Sequence, residues 1–281
     1  MPTTPPPSFL LVHGAWHRPA CWKPLQDALA VEGLRSHTVA LPSSGPQGTP
    51  AAGVYDDAEA ISARLREIDG PVVVVGHSYG GIPVTEAAAA HPGVVHLVYL
   101  AAYMPAEGES LGSLHGREPS KPVDLDGVQP PIFEDPRTSL YTDVPDDLAE
   151  RAVGELVEQS RRSFQEPVTR AAWRTVPATY VVCEGDQALR PAMQTKMSAN
   201  AAHVEWLGTG HSAFLSAPAE LAALLGRTPP GPLRADVRRP GPPPRTRRGR
   251  AVRYARSAPV TRALRLPPAS GSGTRSPRPP P

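Results

Sequence analysis

Gly76-His77-Ser78-Tyr79-Gly80 sets a serine between two small residues, directly after the run Val72-Val73-Val74-Val75 and directly before an Ala-rich stretch. A serine hydroxyl is a weak nucleophile. It needs a general base within reach and an acid to hold that base in the right tautomer. His211, in Gly208-Thr209-Gly210-His211-Ser212, is the candidate base, because it follows the candidate strand Val204-Glu205-Trp206-Leu207 and precedes the last helix. Asp186, in Glu184-Gly185-Asp186, is the candidate acid, just past Thr179-Tyr180-Val181-Val182-Cys183. Glu184 is the nearest rival acid, whereas Asp143, Asp146 and Asp147 read as surface charges. The chain order Ser78, Asp186, His211 is the one expected when a serine sits on a sharp strand-to-helix turn of a parallel sheet.

Acyl transfer also needs hydrogen-bond donors for the oxyanion. The backbone N–H of Tyr79, next to the nucleophile, is one candidate. The other is the N–H of Ala15, in the loop His13-Gly14-Ala15-Trp16 that follows the first apolar run. His13 reads as a loop brace, and His77 as packing beneath the turn. His17 and His115 fall in loops, His37 and His96 in or beside strands, His91 at a helix end, and His203 at the start of the last strand.

These residues need a sheet to hold them. Ser8-Phe9-Leu10-Leu11-Val12, Val72–Val75, Val94–Leu100 and Thr179–Cys183 are continuous apolar runs rather than alternating ones. That pattern suits parallel strands covered on both faces. Helical spacing recurs between them: Ala58, Ile61, Leu65 and Ile68; Ile82 to Ala90, ended by His91-Pro92-Gly93; and Leu221, Leu224 and Leu225. Strands alternating with helices predict an α/β fold with a mostly parallel, doubly wound sheet of about six strands. From about 104 to 173 the alternation stops. The first half is rich in Pro and Gly. The second reads as one or two helices, with Leu148, Val153, Leu156 and Val157 on the apolar face. An excursion of that length, with apolar residues throughout, is expected to be an inserted cap.

The formal charge of +2 hides two different polymers. Residues 228–281 hold 13 Arg, no Lys and one acid, Asp236, with 14 of the 37 prolines; residues 1–227 carry a net charge of −10. A segment so rich in Pro and Arg and so poor in large apolar residues cannot offset chain entropy by burial, and is expected to be disordered. It is read as an extension outside the catalytic domain 1–227, of the kind a shifted frame in GC-rich DNA would produce. Sequencing the gene across codon 227 decides that point, and a chain ending at Arg227 is expected to stay active.

The motifs together resemble those of the α/β-hydrolase superfamily. His13-Gly14-Ala15-Trp16, Gly76-His77-Ser78-Tyr79-Gly80-Gly81, the Asp186 turn and Gly210-His211 occur in its order, over about residues 8–226. The chain most resembles the small-esterase branch that also holds plant methyl esterases and hydroxynitrile lyases. The resemblance implies an α/β-hydrolase fold with a mainly helical cap. The lyases of that branch carry a lysine directly after the catalytic histidine and a threonine after the first-strand histidine. Here those positions are Ser212 and Gly14. Hydrolysis is therefore expected over cyanide elimination. Ser78 also argues against the dehalogenase and epoxide-hydrolase branches, which use an aspartate nucleophile.

The expected activity is hydrolysis of a small to medium carboxylic ester through an acyl-enzyme. Acyl transfer or thioester cleavage on the same three residues is the alternative; a lyase-like enzyme and a ligand receptor that keeps the three residues rank behind. Candidate substrate contacts are Trp16, Tyr103, Met104 and Phe214, with Tyr79, Phe133, Tyr141 and Trp173 also considered. No metal or organic cofactor is indicated, since the nine histidines show no ligand spacing and no dinucleotide fingerprint occurs. The expected partner is the ester alone, with neither a specific nucleic acid nor a membrane; oligomeric state stays open. With two cysteines, no apolar run of spanning length and no basic-then-apolar start, the cytoplasm is the expected compartment.

Overall fold

Six strands, all parallel, run through the centre of the protein in the order Ser36–Val39, Ser8–Val12, Val72–His77, Val94–Leu100, Ala178–Cys183, His203–Leu207. The computed structural model describes residues 6–45, 51–117 and 125–228. The basic extension, apart from Thr228, lies outside them.

The strands are β1 (Ser8–Val12), β2 (Ser36–Val39), β3 (Val72–His77), β4 (Val94–Leu100), β7 (Ala178–Cys183) and β8 (His203–Leu207). Alternate residues feed two separate cores. Leu10, Val12, Val72, Val74, Leu97, Tyr99, Tyr180 and Val182 face one side, together with Ile61 and Leu65 of α2 (Val54–Arg66) and Ile82 of α3 (Gly81–Ala87). Phe9, Leu11, Val73, Val75, Val98, Leu100 and Val181 face the other, with Leu25 and Leu29 of α1 (Lys23–Val31) and Leu221 and Leu225 of α10 (Pro218–Gly226). Two covered faces explain why the central strands read as unbroken apolar runs.

This winding also sets where a ligand can bind. The chain leaves β1 toward α1 on one face, while from the neighbouring β3 it leaves toward α3 on the opposite face. The two loops part at the carboxyl ends of adjacent strands and open a crevice there. The loop His13–Trp16 forms one side of that crevice and the Ser78 turn the other.

Between β4 and β7 the chain forms short elements instead of a strand-helix unit. Among the described residues these include α4 (Leu111–Leu114), β5 (Val128–Gln129), α5 (Pro136–Leu140), α6 (Asp146–Gly154), β6 (Gln159–Ser160) and α7 (Arg162–Gln165). β5 and β6 pair antiparallel as a separate two-stranded sheet. β6 is also tied to the loop after β2, with Ser160 N–H donating to the Ser43 carbonyl at 2.8 Å. The remaining helices, α8 (Pro191–Ser198) and α9 (Ala213–Ser216), flank the turns that carry Asp186 and His211.

Candidate functional site

Ser78 has φ +52°, a left-handed backbone conformation disfavoured for any residue with a Cβ. Its surroundings enforce it. A Cβ on Gly80 would stand 2.6 Å from the His13 carbonyl oxygen and 2.7 Å from that of Val12. A Cβ on Gly81 would overlap the Tyr103 carbonyl. The turn is therefore pressed between β1 and the end of β4, and only glycine fits on its far side. Tyr103 N–H closes it by donating to the Ser78 carbonyl at 3.1 Å. The side chain of Ser78 is left half-buried, on the wall of a cavity of about 120 Å³ that Ala15, Tyr79 and His211 also line.

Behind His211 stands a carboxylate with every position filled. Asp186 is buried, and its Oδ2 lies 2.7 Å from His211 Nδ1 and 2.9 Å from Gln194 Nε2. Its Oδ1 accepts the N–H groups of Ala188 and Leu189, each at 2.8 Å. A carboxylate that only accepts fixes the proton of His211 on Nδ1 and leaves Nε2 as the basic nitrogen. Glu184, by contrast, is exposed.

The loop of His211 is braced from two directions. His77 Nε2–H donates to the His211 carbonyl at 3.0 Å. Gly210 N–H donates to Asp143 Oδ2 at 2.7 Å. Asp143 is exposed, as a surface charge would be, yet it spans from the inserted segment to the base. Phe214 lies 4.9 Å from the His77 ring and 4.7 Å from Trp22, ring centroid to centroid, so it fills the space beneath the turn.

Four histidines crowd this region, and their partners separate them. His13 Nδ1–H donates to the Gly14 carbonyl at 2.9 Å and its Nε2 accepts from Leu41 N–H. His17 Nδ1–H donates to the Ala15 carbonyl at 2.7 Å and its Nε2 accepts from Tyr141 Oη–H at 2.9 Å. Burial pushes both down to about 4 and holds His77 well below the usual range. These three are neutral braces. Of the four, His211 alone has a carboxylate partner.

Trp16 and Tyr103 line the cavity, as do Tyr79 and Phe133. Met104 and Phe214, expected from their sequence neighbours to touch substrate, do not line it. Both are fully buried core residues, because their side chains turn inward. Tyr141 is spent on His17, and Trp173 donates to the Pro105 carbonyl at 2.8 Å. The walls that sequence reasoning missed include Phe164, whose ring centroid is 5.7 Å from that of Trp16. Tyr103 Oη sits 2.7 Å from His115 Nε2 at another part of the same cavity. Among the described residues, no group of three or more His, Cys, Asp or Glu side chains is placed to hold a metal ion, and no helix is long and apolar enough to cross a membrane.

Residues 9–224 match the model of the alpha/beta hydrolase family. Over 242 residues the chain is 31% identical to an alpha/beta hydrolase of Aspergillus novofumigatus, covering 75% of this chain and 92% of that one. It is 26% identical to methyl jasmonate esterase 1 of Vitis vinifera, covering 77% and 94%. A crystal structure of a methylesterase from Arabidopsis superposes with a TM-score of 0.64 at 26% identity, covering 78% of this chain and 97% of that one.

Proposed function

The chain belongs to the alpha/beta hydrolase family, and from that premise we propose that it is a serine esterase acting through Ser78, His211 and Asp186. The observation that carries this reading is the 2.7 Å pair of His211 Nδ1 with the buried Asp186, at a cavity that His211 and Ser78 both line. His211 Nε2 takes the Ser78 proton as Ser78 Oγ attacks the ester carbonyl. The N–H groups of Ala15 and Tyr79, both at the cavity, receive the oxyanion. The alcohol leaves with the proton from His211. Water, activated by the same histidine, then releases the acid from Ser78.

The substrate reading follows from the walls. Trp16 packs edge-on to Phe133 at 5.8 Å and tilted against Phe164 at 5.7 Å, ring centroid to centroid. A cavity of about 120 Å³ lined by Trp16, Phe133 and Phe164, with Tyr79 and Tyr103, suits an ester with a small or medium apolar group. The esterase names of the relatives above support the same class.

Ser78→Ala is expected to lower ester turnover by about four orders of magnitude or more. A fluorophosphonate should label the parent chain once, at Ser78, by mass spectrometry. Undiminished turnover in the Ser78→Ala protein would overturn the reading.

A further inference from the structure

Trp16 follows the proposed oxyanion donor Ala15, and all of its polar groups bond to the inserted segment. Its N–H donates to Gln159 Oε1 at 3.2 Å, its carbonyl accepts from Val157 N–H at 2.9 Å, and its Nε1–H donates to the Gln129 carbonyl at 2.9 Å. It also has φ +62°. A bulky side chain in that left-handed region persists only where its surroundings over-determine it. The hydrogen bonds of the inserted segment supply that constraint.

The other end of the Gln159 amide reaches toward the second donor. Nε2 donates to Ser43 Oγ at 2.7 Å and to Ser163 Oγ at 2.9 Å. Both hydroxyls have their own protons committed elsewhere: Ser43 Oγ–H to Asp57 Oδ2 at 2.5 Å, and Ser163 Oγ–H to the Ser160 carbonyl at 2.8 Å. They can therefore only accept from Gln159. Trp16 N–H, in turn, can only donate. The amide orientation is thus forced, and no carboxylate could satisfy all three partners. Asp57 Oδ2 also accepts Tyr79 Oη–H at 2.6 Å, and Tyr79 carries the second proposed oxyanion N–H. Gln159, Ser43, Ser163, Asp57 and Tyr79 are all fully buried.

We propose that Gln159 is a positioning residue for the oxyanion hole. It holds the strained Trp16 turn, so that Ala15 N–H faces the cavity, and through Ser43 and Asp57 it ties that turn to Tyr79. The donor pair is then assembled by the docking of the inserted segment. The inference rests on the reading of Ala15 and Tyr79 as the oxyanion donors. The backbone at Gln159 is anchored separately, by its pairing with Gln129 in the small sheet and its bridge to Ser44, so the side chain can be changed alone.

The test uses the full chain with Gln159→Met, close in volume to the parent, and Ser43→Ala, which cuts the same network one bond further on. Turnover of a p-nitrophenyl ester and inhibition by a trifluoromethyl ketone, which adds to the serine as an oxyanion, are measured beside a ground-state competitive inhibitor. Gln159→Met should lower kcat about 10- to 100-fold, short of the ~10²–10³ lost with a whole donor. KM should stay within about threefold. Trifluoromethyl ketone affinity should fall by a factor similar to kcat, while the ground-state inhibitor binds unchanged. Ser43→Ala should shift the same two quantities in the same direction, and decides the matter by the same criteria if Gln159→Met does not fold. Folded variants with parental kcat and ketone affinity overturn the inference, as does a rise in KM alone. If Ser78→Ala itself stays active, the underlying serine reading fails instead.

Discussion

Asp186 Oδ2 is shared between His211 Nδ1, at 2.7 Å, and Gln194 Nε2, at 2.9 Å. Both neighbours donate to it, and Oδ1 faces two further N–H groups. An amide in place of the carboxylate cannot satisfy this ring of donors. Whichever way Asn turned, its NH₂ would face donors, and at the Oδ2 position it would drive the proton of His211 onto Nε2. Asp186→Asn should therefore cost about 1–3 kcal/mol of stability and lower kcat by about 10⁴, with little change in KM. Ester kinetics with a circular-dichroism control measure this. Loss of less than about tenfold would remove Asp186 from the catalytic set.

Asp143 gives a smaller and separable effect. It holds the Gly210 N–H at 2.7 Å and reaches the base only through the backbone. Asp143→Ala should lower kcat several-fold and loosen His211, without altering the ester preference set by the cavity walls. Asp143→Asn keeps an acceptor oxygen and should restore most of the loss. If Asp143→Ala and Asp143→Asn behave alike, the brace is not what matters there.

Gly14 tests the expectation that this chain hydrolyses esters rather than releasing cyanide. A Cβ at that position would stand 3.0 Å from both His77 Nδ1 and Ser78 Cβ. The neighbours would have to give by a few tenths of an ångström, and one of them carries the nucleophile. Gly14→Thr should therefore cost at least about tenfold in kcat and gain no cyanide-releasing activity, since Ser212 still follows His211. Turnover assays on an aryl ester and on a cyanohydrin check both halves.

What could be read from sequence, and what could not, follows from the range of each interaction. The strands around Ser78 are legible because burial on both faces leaves runs such as Val72–Val75 wholly apolar. β2 shows only as a strand in or beside His37, without a clear run, because Ser36-His37-Thr38 lies at the sheet edge, half-buried, and needs no apolar run. The glycines of the turn announce their crowding, since no other residue clears the carbonyls of Val12, His13 and Tyr103. Gln159 and Gln194 announce nothing. A buried amide and an exposed one are spelled alike, and the partners of Gln159 lie as far as 143 residues away in sequence. Asp143 is hidden for the same reason: its partner Gly210 is 67 residues on. Phe214 misleads because closeness to His211 in sequence does not say which way a ring turns, and here it turns toward Trp22.

Burial of neutral histidines sets the acid limit of the fold. His13 and His17 are pushed down to about 4, and His77 lies well below its usual value. In the unfolded chain each takes a proton near pH 6.5. Above that pH neither state is charged and nothing is lost. Between about 6.5 and 4 the unfolded state alone gains protons, so stability drains as pH falls. Asp57 opposes this. Burial raises it to about 6, so the fold holds its proton where the unfolded chain has released it, and that contribution is lost as pH rises through 6. His96 is pushed down to about 4 in the same way, so four histidines against one carboxyl leave a net uptake of about three protons on unfolding near pH 5, or about 4 kcal/mol per pH unit. The urea midpoint should fall steadily from pH 7 to pH 5, and His17→Gln should reduce the slope by about one proton. A midpoint that holds level or rises on acidification would mean that these histidines are already charged in the folded protein.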